Sequence, residues 1–330
     1  MTVSFLGLGE LLWDCFPDRR MPGGAPANVA FHAQQLGLSA ATVTRVGEDE
    51  LGSEICQFLQ SQGLCLDLVQ RDPIHGTGTV TVDAGPTGTN YIFKPDSAWD
   101  FLEATPSLMA AMQSAKAVCF GTLAQRNSVS RETIHACLNA ASADCLIVYD
   151  VNLRPPFYER GWIERSLKQA RIVKLNDDEV QILATMFDVG NARAGSPAPS
   201  VRRGSPDPAE TPDRRSPPDF ASRHYDNADV ARWLLTQFHL QLVCITRGGS
   251  GCLLVSPDET IDIPGITVQV VDTVGAGDSF TAALIQTQLA GWTLQRSAEF
   301  ANRVGALVAS RQGAMPVLHQ ELADLRREFC

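Results

Sequence analysis

Residues 272–280 read D-T-V-G-A-G-D-S-F, and the fold is decided by how this stretch is read. Upstream, the largely β-branched run Ile266 to Val271 predicts a buried strand. Gly275, Ala276 and Gly277 follow, all small, and then Asp278. From Ser279 the spacing of Phe280, Leu284, Thr287 and Leu289 is helical, and Gly291 ends it. The stretch is therefore strand, small-residue turn, helix. The first amides of a helix have no internal partner and carry the positive end of its dipole. Glycines there let an anion approach the backbone closely. Asp278 stands at the same point, where it either caps the helix or takes a proton from a hydroxyl that attacks a phosphorus. No Gly-Lys-Ser/Thr follows, so this is not a Walker A loop.

Bulk properties narrow the choice. At 330 residues the chain can bury a large α/β core. Hydrophobic residues make up 44%, and with a mean hydropathy of -0.05 this describes a globular protein in water. A net charge of -10 argues against binding a nucleic-acid backbone but leaves local anion sites at helix ends open. The 9 cysteines are scattered without a C-x-x-C pair, which argues against a disulfide framework or structural zinc and for reduced thiols in a cytoplasm. The N-terminus lacks a basic segment and reads as a strand, not a signal peptide. No apolar run reaches the roughly 18 residues that a membrane span needs.

Taken in order, the chain opens with an apolar strand, Val3 to Leu8, ending in Gly7-Leu8-Gly9-Glu10. Leu12 stands where a dinucleotide fingerprint needs its third glycine. A second short strand, Leu11 to Phe16, carries Asp14. Residues 21–37, M-P-G-G-A-P-A-N-V-A-F-H-A-Q-Q-L-G, give a turn at Gly23-Gly24 and a helix over Ala27 to Leu36. Asn28 in its first turn either bonds nearby backbone or serves a polyol hydroxyl. From Gly76 to Phe93 the texture is that of a hairpin, which with Leu11–Phe16 makes a small sheet outside the main core. Strand–helix alternation is regular from Ala117. It brings D-V-N-L-R-P-P (150–156) and N-D-D-E (176–179) to strand ends, where open α/β sheets bind ligands. Residues 190–227 hold 7 of the 19 prolines, 6 arginines and 5 serines, and read as a disordered or loosely draped insertion between helices. Helix resumes at Ala228–Phe238, followed by strand Leu242–Thr246, the turn R-G-G-S-G (247–251) and strand Cys252–Val255.

Residues 272–280 together with G-G-A-P-A-N-V-A resemble the two signatures of the ribokinase (PfkB) family of carbohydrate kinases, in the form seen in fructokinases. The resemblance covers nearly all of the chain except residues 190–227. It implies one α/β domain, ribokinase-like and three-layered α/β/α, with a mainly parallel sheet and a small β lid within residues 11–22 and 76–95. It implies ATP-dependent transfer of a phosphoryl group to a sugar hydroxymethyl, with fructose giving fructose 6-phosphate. Asp278 is then the general base, and the amides of Gly275, Ala276, Gly277 and Asp278 form the anion hole. The resemblance assigns Asp14, Gly24 and Asn28 to the sugar hydroxyls. It adds Asp150, Asn152 and Arg154, from a D-x-N-x-R pattern shared with 2-keto-3-deoxygluconate kinases. Lys94 stands where related fructokinases often carry an arginine.

For the nucleotide, the resemblance implies Thr246, Gly248 and Gly251 around ATP and Asn302 at the adenine. Asn176 and Glu179 match N-x-x-E, which organises Mg²⁺ and phosphate, Glu179 through water. Asp272, Val274, Val308, Arg311 and Gly313 correspond to a backbone cage that holds a monovalent cation such as K⁺ in some members. A homodimer through the lid strands is a further implication. Two alternatives stay open at this level: a 2-keto-3-deoxygluconate or other sugar or nucleoside kinase, and a sugar-binding regulator without catalysis.

Overall fold

The computed structural model describes residues 3–85, 88–190 and 224–329. The expected insertion therefore lies almost wholly outside the described residues. Its last residues belong to the fold: Tyr225 exchanges two hydrogen bonds with the Gln181 side chain and packs on the core, and Asp226 caps the next helix.

The chain begins with β1 (Phe5–Leu8), then β2 (Leu12–Cys15), β3 (Arg20–Gly23), α1 (Ala25–Gln35), β4 (Ala40–Gly47), α2 (Glu50–Ser61) and β5 (Val69–Asp72). The hairpin β6 (Gly78–Gly85) and β7 (Gly88–Phe93) follows. Alternation then runs through α3 (Pro106–Ser114), β8 (Ala117–Gly121), α4 (Ser128–Ala140), β9 (Leu146–Asp150), α5 (Arg160–Gln169), β10 (Ile172–Asn176) and α6 (Asp177–Met186). The last part is α7 (Asn227–Phe238), β11 (Leu242–Thr246), β12 (Cys252–Val255), β13 (Thr260–Ile263), α8 (Ala276–Leu289), α9 (Leu294–Ala309) and α10 (His319–Glu328).

Nine strands form one sheet in the order β13-β12-β11-β10-β9-β8-β1-β4-β5. The seven from β11 to β5 are parallel, and β12 and β13 add an antiparallel edge. Parallel strands are buried on both faces, which explains apolar runs such as A-V-C-F-G and L-V-C-I-T. Alternate residues feed two cores. Leu6, Phe120 and Tyr149 face α3 to α7, whereas Phe5, Cys119 and Val148 face α1, α2 and α8 to α10. This is the expected three-layer α/β/α arrangement. The chain reverses direction across the sheet at β1, which has β4 on one side and β8 on the other. Such a switch point opens a crevice at the carboxyl ends of the strands.

A second sheet, ordered β3-β2-β6-β7, stands over that crevice. Its β2–β6 pair is parallel and the other two pairs are antiparallel. Leu12, Val80, Phe16 and Phe93 form its small apolar cluster. Among the described residues no helix is long and apolar enough to cross a membrane.

The run Ile266–Val271, expected as a buried strand, is neither buried nor a strand. It follows β13, the sheet edge, so no neighbour remains to pair with it. Val270 and Val271 are each 59% exposed, and Ile266, Thr267, Val268 and Val270 instead line the mouth of a cavity.

Candidate active site

A cavity of about 720 Å³ occupies the crevice between the strand ends and the small sheet. Leu12, Asp14, Val80, Tyr91 and Phe93 form its roof, and the starts of α1 and α8 form its floor.

At the centre is Asp278, 9% exposed, in the first turn of α8. The helix starts earlier than its apolar spacing predicts, with Gly275 as N-cap. The amides of Gly275, Gly277 and Asp278 bond to no other described residue, whereas the Ala276 amide reaches the Thr273 carbonyl at 3.3 Å. The expected four-amide cradle is therefore three free amides and one engaged one. Gly275 has φ 79°, and a Cβ there would lie 2.5 Å from the Ala314 carbonyl oxygen, so only glycine fits without strain. Buried His32 donates from Nε2 to that same carbonyl at 2.9 Å. Burial lowers the His32 pKa to about 4, so the ring is neutral at pH 7.

Asn28 Nδ2 donates to Asp278 Oδ2 at 2.7 Å, and the Asn28 carbonyl oxygen has no partner among the described residues. Burial raises the Asp278 pKa and the Asp150 charge adds to this, while Lys174, the Asn28 bond and Arg154 act against them. A carboxylate so placed holds a proton more readily than one in water, as a base working near neutral pH should.

The end under the small sheet carries Asp14, Gly24, Asn152 and Arg154, all lining the cavity. Gly24 has φ 110°, and a Cβ there would meet the Glu10 carbonyl oxygen at 2.4 Å. Glu10 lines the cavity as well. Its Oε1 accepts the Ala25 amide at 3.1 Å, and its Oε2 is buried with no partner among the described residues. Burial pushes Glu10 up to about 7 and Asp14 up to about 6, with Arg154 opposing both shifts. Three carboxylates, those of Glu10, Asp14 and Asp278, thus share this end with one guanidinium.

The opposite end is lined by Asn176, Thr246, Gly248, Gly251 and Asn302. The Asn302 amide donates to the Pro264 carbonyl at 3.0 Å, which ties α9 to the mouth segment.

Several expected site residues stand elsewhere. Lys94 is exposed outside the cavity, and its ammonium lies with the Asp49 carboxylate against Gly76. Asp150 is 2% exposed and does not line the cavity; it pairs with Lys174 at 3.1 Å and accepts from Thr281 at 3.0 Å. Glu179 is also buried, with Oε1 on the Leu153 amide and Oε2 on the Asn176 amide, each at 2.8 Å. Burial raises its pKa. The Asp272 carboxylate joins two segments of the expected cation cage by accepting the amides of Val274 and Gly313, each at 3.0 Å. Val308 is buried, and the exposed Arg311 side chain turns to the Ser310 oxygens and to Glu321.

Two charged cavity residues escaped the sequence reading, Glu10 and Lys174. Each is a charge just after or inside an apolar strand, F-L-G-L-G-E and I-V-K-L-N. A buried charge that survives in such a run is the signal that could have found them.

The family model described as pfkB family carbohydrate kinase matches residues 8–199 and 219–321. A fructokinase of Vibrio alginolyticus is 26% identical over 339 residues, covering 96% of this chain and 96% of that one. The crystal structure of an uncharacterized sugar kinase, PH1459, of Pyrococcus horikoshii superposes with a TM-score of 0.75 at 26% identity, covering 99% of both chains. A fructokinase with bound ATP from Xylella fastidiosa shares the fold at a TM-score of 0.78 and 21% identity, again over 99% of both chains.

Proposed function

The chain belongs to the pfkB family of carbohydrate kinases, and we propose that it transfers the γ-phosphoryl group of ATP to the 6-hydroxymethyl of fructose. The observation that carries this reading is the buried Asp278 carboxylate beside the free amides of Gly277 and Asp278, in a cavity with polyol-type partners at one end. Asp278 accepts the hydroxyl proton as the sugar oxygen forms its bond to phosphorus. The bond from that phosphorus to the β-phosphate oxygen breaks and ADP leaves. The amides of Gly275, Gly277 and Asp278 meet the negative charge on the transferring group. General-base assistance is typically about 10²–10⁴-fold, or roughly 3–5 kcal/mol. Positioning and electrostatics supply the remainder. The small sheet excludes water, which would otherwise take the phosphoryl group.

Asp14, Asn28, Asn152 and Arg154 would hold the sugar. Thr246, Gly248, Gly251 and Asn302 would hold the nucleotide, with Asn176 toward its phosphates. Mg²⁺, which would screen the phosphate charge, fits as a companion of ATP. Among the described residues no group of three or more His, Cys, Asp or Glu could hold an ion alone, and both Glu179 oxygens are engaged. A monovalent cation would lie between residues 272–274 and 308–313. A second copy would pair through β7, the edge strand, where Tyr91 and Ile92 are exposed. Eight free cysteines among the described residues suit a reducing cytoplasm.

An uncharged sugar is favoured over 2-keto-3-deoxygluconate because three carboxylates face the substrate end and Lys94 stands outside the cavity. The test is ADP release with ATP and a panel of fructose, other neutral sugars, nucleosides and the keto acid, with the phosphorylated carbon identified by NMR. Fructose should give the highest kcat/KM. Faster turnover of the keto acid would overturn the substrate assignment, and absence of any phosphorylated product would mark a sugar-binding regulator.

A further inference from the structure

Lys174 is a buried cation at the phosphoryl end of the cavity, and Asp278 catalysis as described makes no use of it. Its side chain is 8% exposed, yet it lines the cavity. A Cβ placed on Gly277 would lie 3.0 Å from Lys174 Nζ, so the ammonium sits directly against the second residue of α8. An ammonium has three N–H donors. One goes to Asp150 Oδ1 at 3.1 Å, and the other two have no acceptor among the described residues. The second Asp150 oxygen lies 3.0 Å from the Thr281 hydroxyl, which is also 3.0 Å from the Gly277 carbonyl oxygen. Each Asp150 oxygen thus has a partner, and the carboxylate is held against the same helix turn that presents the free amides.

A purely structural pair accounts poorly for this arrangement. Buried ion pairs are often no more stable than apolar residues of similar volume, and a core pair has no need of spare donors facing a cavity. Burial opposes the Lys174 charge, but the carboxylates of Asp150, Glu179 and Asp278 outweigh it, and the ammonium stays protonated.

We propose that Lys174 is a catalytic residue of phosphoryl transfer, its two spare N–H groups bonding oxygens of the transferring group beside the Gly277 and Asp278 amides, with Asp150 holding it in place. This rests on the kinase reading above. Lys174 keeps its proton throughout; the hydroxyl proton goes to Asp278 and the leaving oxygen stays on ADP. Seven groups share the field of Asp278: Asn28 from α1, the Cys119 thiol from β8, Asp150 from β9, Lys174 from β10, Arg154, Glu10 and Asp14. Among these only Lys174 and Arg154 are cations.

The test compares the full chain with Lys174→Met, Lys174→Arg and the double variant Asp150→Asn/Lys174→Met. The double variant removes both charges and so leaves none buried and unpaired. Folding is checked by circular dichroism. Turnover is read as kcat against the KM for fructose and for ATP, and binding of inorganic phosphate is measured calorimetrically without nucleotide. Loss of one preorganised donor lowers kcat by about 10²–10³-fold. The folded Met variants should fall by that much with fructose KM nearly unchanged, and should bind phosphate at least about tenfold more weakly, one charge contact being of that order. The Arg variant should recover part of both. The acidic limb of the kcat/KM profile of the single Lys174→Met variant should move to higher pH, because removing a cation favours the protonated Asp278, whereas in the double variant loss of the Asp150 charge cancels that shift. Folded Met variants with wild-type kcat and wild-type phosphate binding would overturn the assignment. If the wild-type chain phosphorylates no sugar, the kinase reading fails separately, and the phosphate measurement still decides whether Lys174 binds a phosphoryl group.

Discussion

Asn28 and Asp278 are 250 residues apart in sequence and 2.7 Å apart in space, the amide of one donating to the carboxylate of the other. The bond joins the first turn of α1 to the first turn of α8. In the proposed reaction, substrate seating and base orientation would therefore be set by one contact. Asp278→Asn should keep fructose affinity within a few-fold and reduce kcat by roughly 10²–10⁴-fold, the usual span of general-base catalysis. Calorimetric sugar binding and steady-state kinetics measure the two effects, and near-wild-type turnover would reject Asp278 as base.

Asn28→Ala removes a bond that favours the charged carboxylate. The Asp278 pKa should then rise further above its ordinary value. The acidic limb of kcat/KM should shift to higher pH, while the alkaline limb stays. A pH–rate profile from about pH 5 to 9 spans the range; an unmoved acidic limb would separate Asn28 from the base.

Gly275→Ala forces a side chain into positive φ and against the Ala314 backbone. Strain of this kind costs about 1–3 kcal/mol, and the contact adds to it. Urea denaturation should show that loss. Activity should fall as well, because relief requires the start of α8 to move. Unchanged stability and activity together would mean that the backbone at Ala314 yields freely.

Glu10→Gln tests a buried acid by linkage. Burial raises the folded pKa from 4.5 to about 7. The folded state therefore keeps a proton that the unfolded chain has lost. The resulting stabilisation is complete below pH 4.5 and disappears as pH rises through 7. Glutamine cannot titrate, so the wild type should lose stability relative to the variant between pH 5 and 8, by roughly 3 kcal/mol at most. Denaturation of both proteins at the two pH values measures it, and a difference independent of pH would show that Glu10 is ordinarily ionised when folded.

Much of this was legible in the chain itself. The strands and helices read from Ala117 onward mostly matched the structure to within a few residues, because buried parallel strands must be apolar on both faces. The texture change at Gly76–Phe93 marked a separate sheet for the same kind of reason: one face is covered and the other meets the cavity or solvent. Ile266–Val271 misled, because β-branched residues suit a pleated strand but also suit the apolar wall of a cleft, and local pattern cannot tell a neighbour strand from a cavity. Asp150 was placed by its position at a strand's end and Lys94 by the family resemblance at the end of the hairpin; each says where the backbone goes and not where the side chain turns.

The sequence by itself determined most of the elements and the two small-residue turns, one of which brings backbone amides near an anion, since periodicity and glycine act over a few residues. Only the tertiary structure decided which charges meet: that Asn28 reaches Asp278, that Asp150 faces Lys174 instead of the substrate, and that Glu10 is sealed against Ala25. Those outcomes depend on how deeply each group is buried and on what stands within about 4 Å of it, where Coulomb and desolvation energies are large. Distances along the chain carry no record of either.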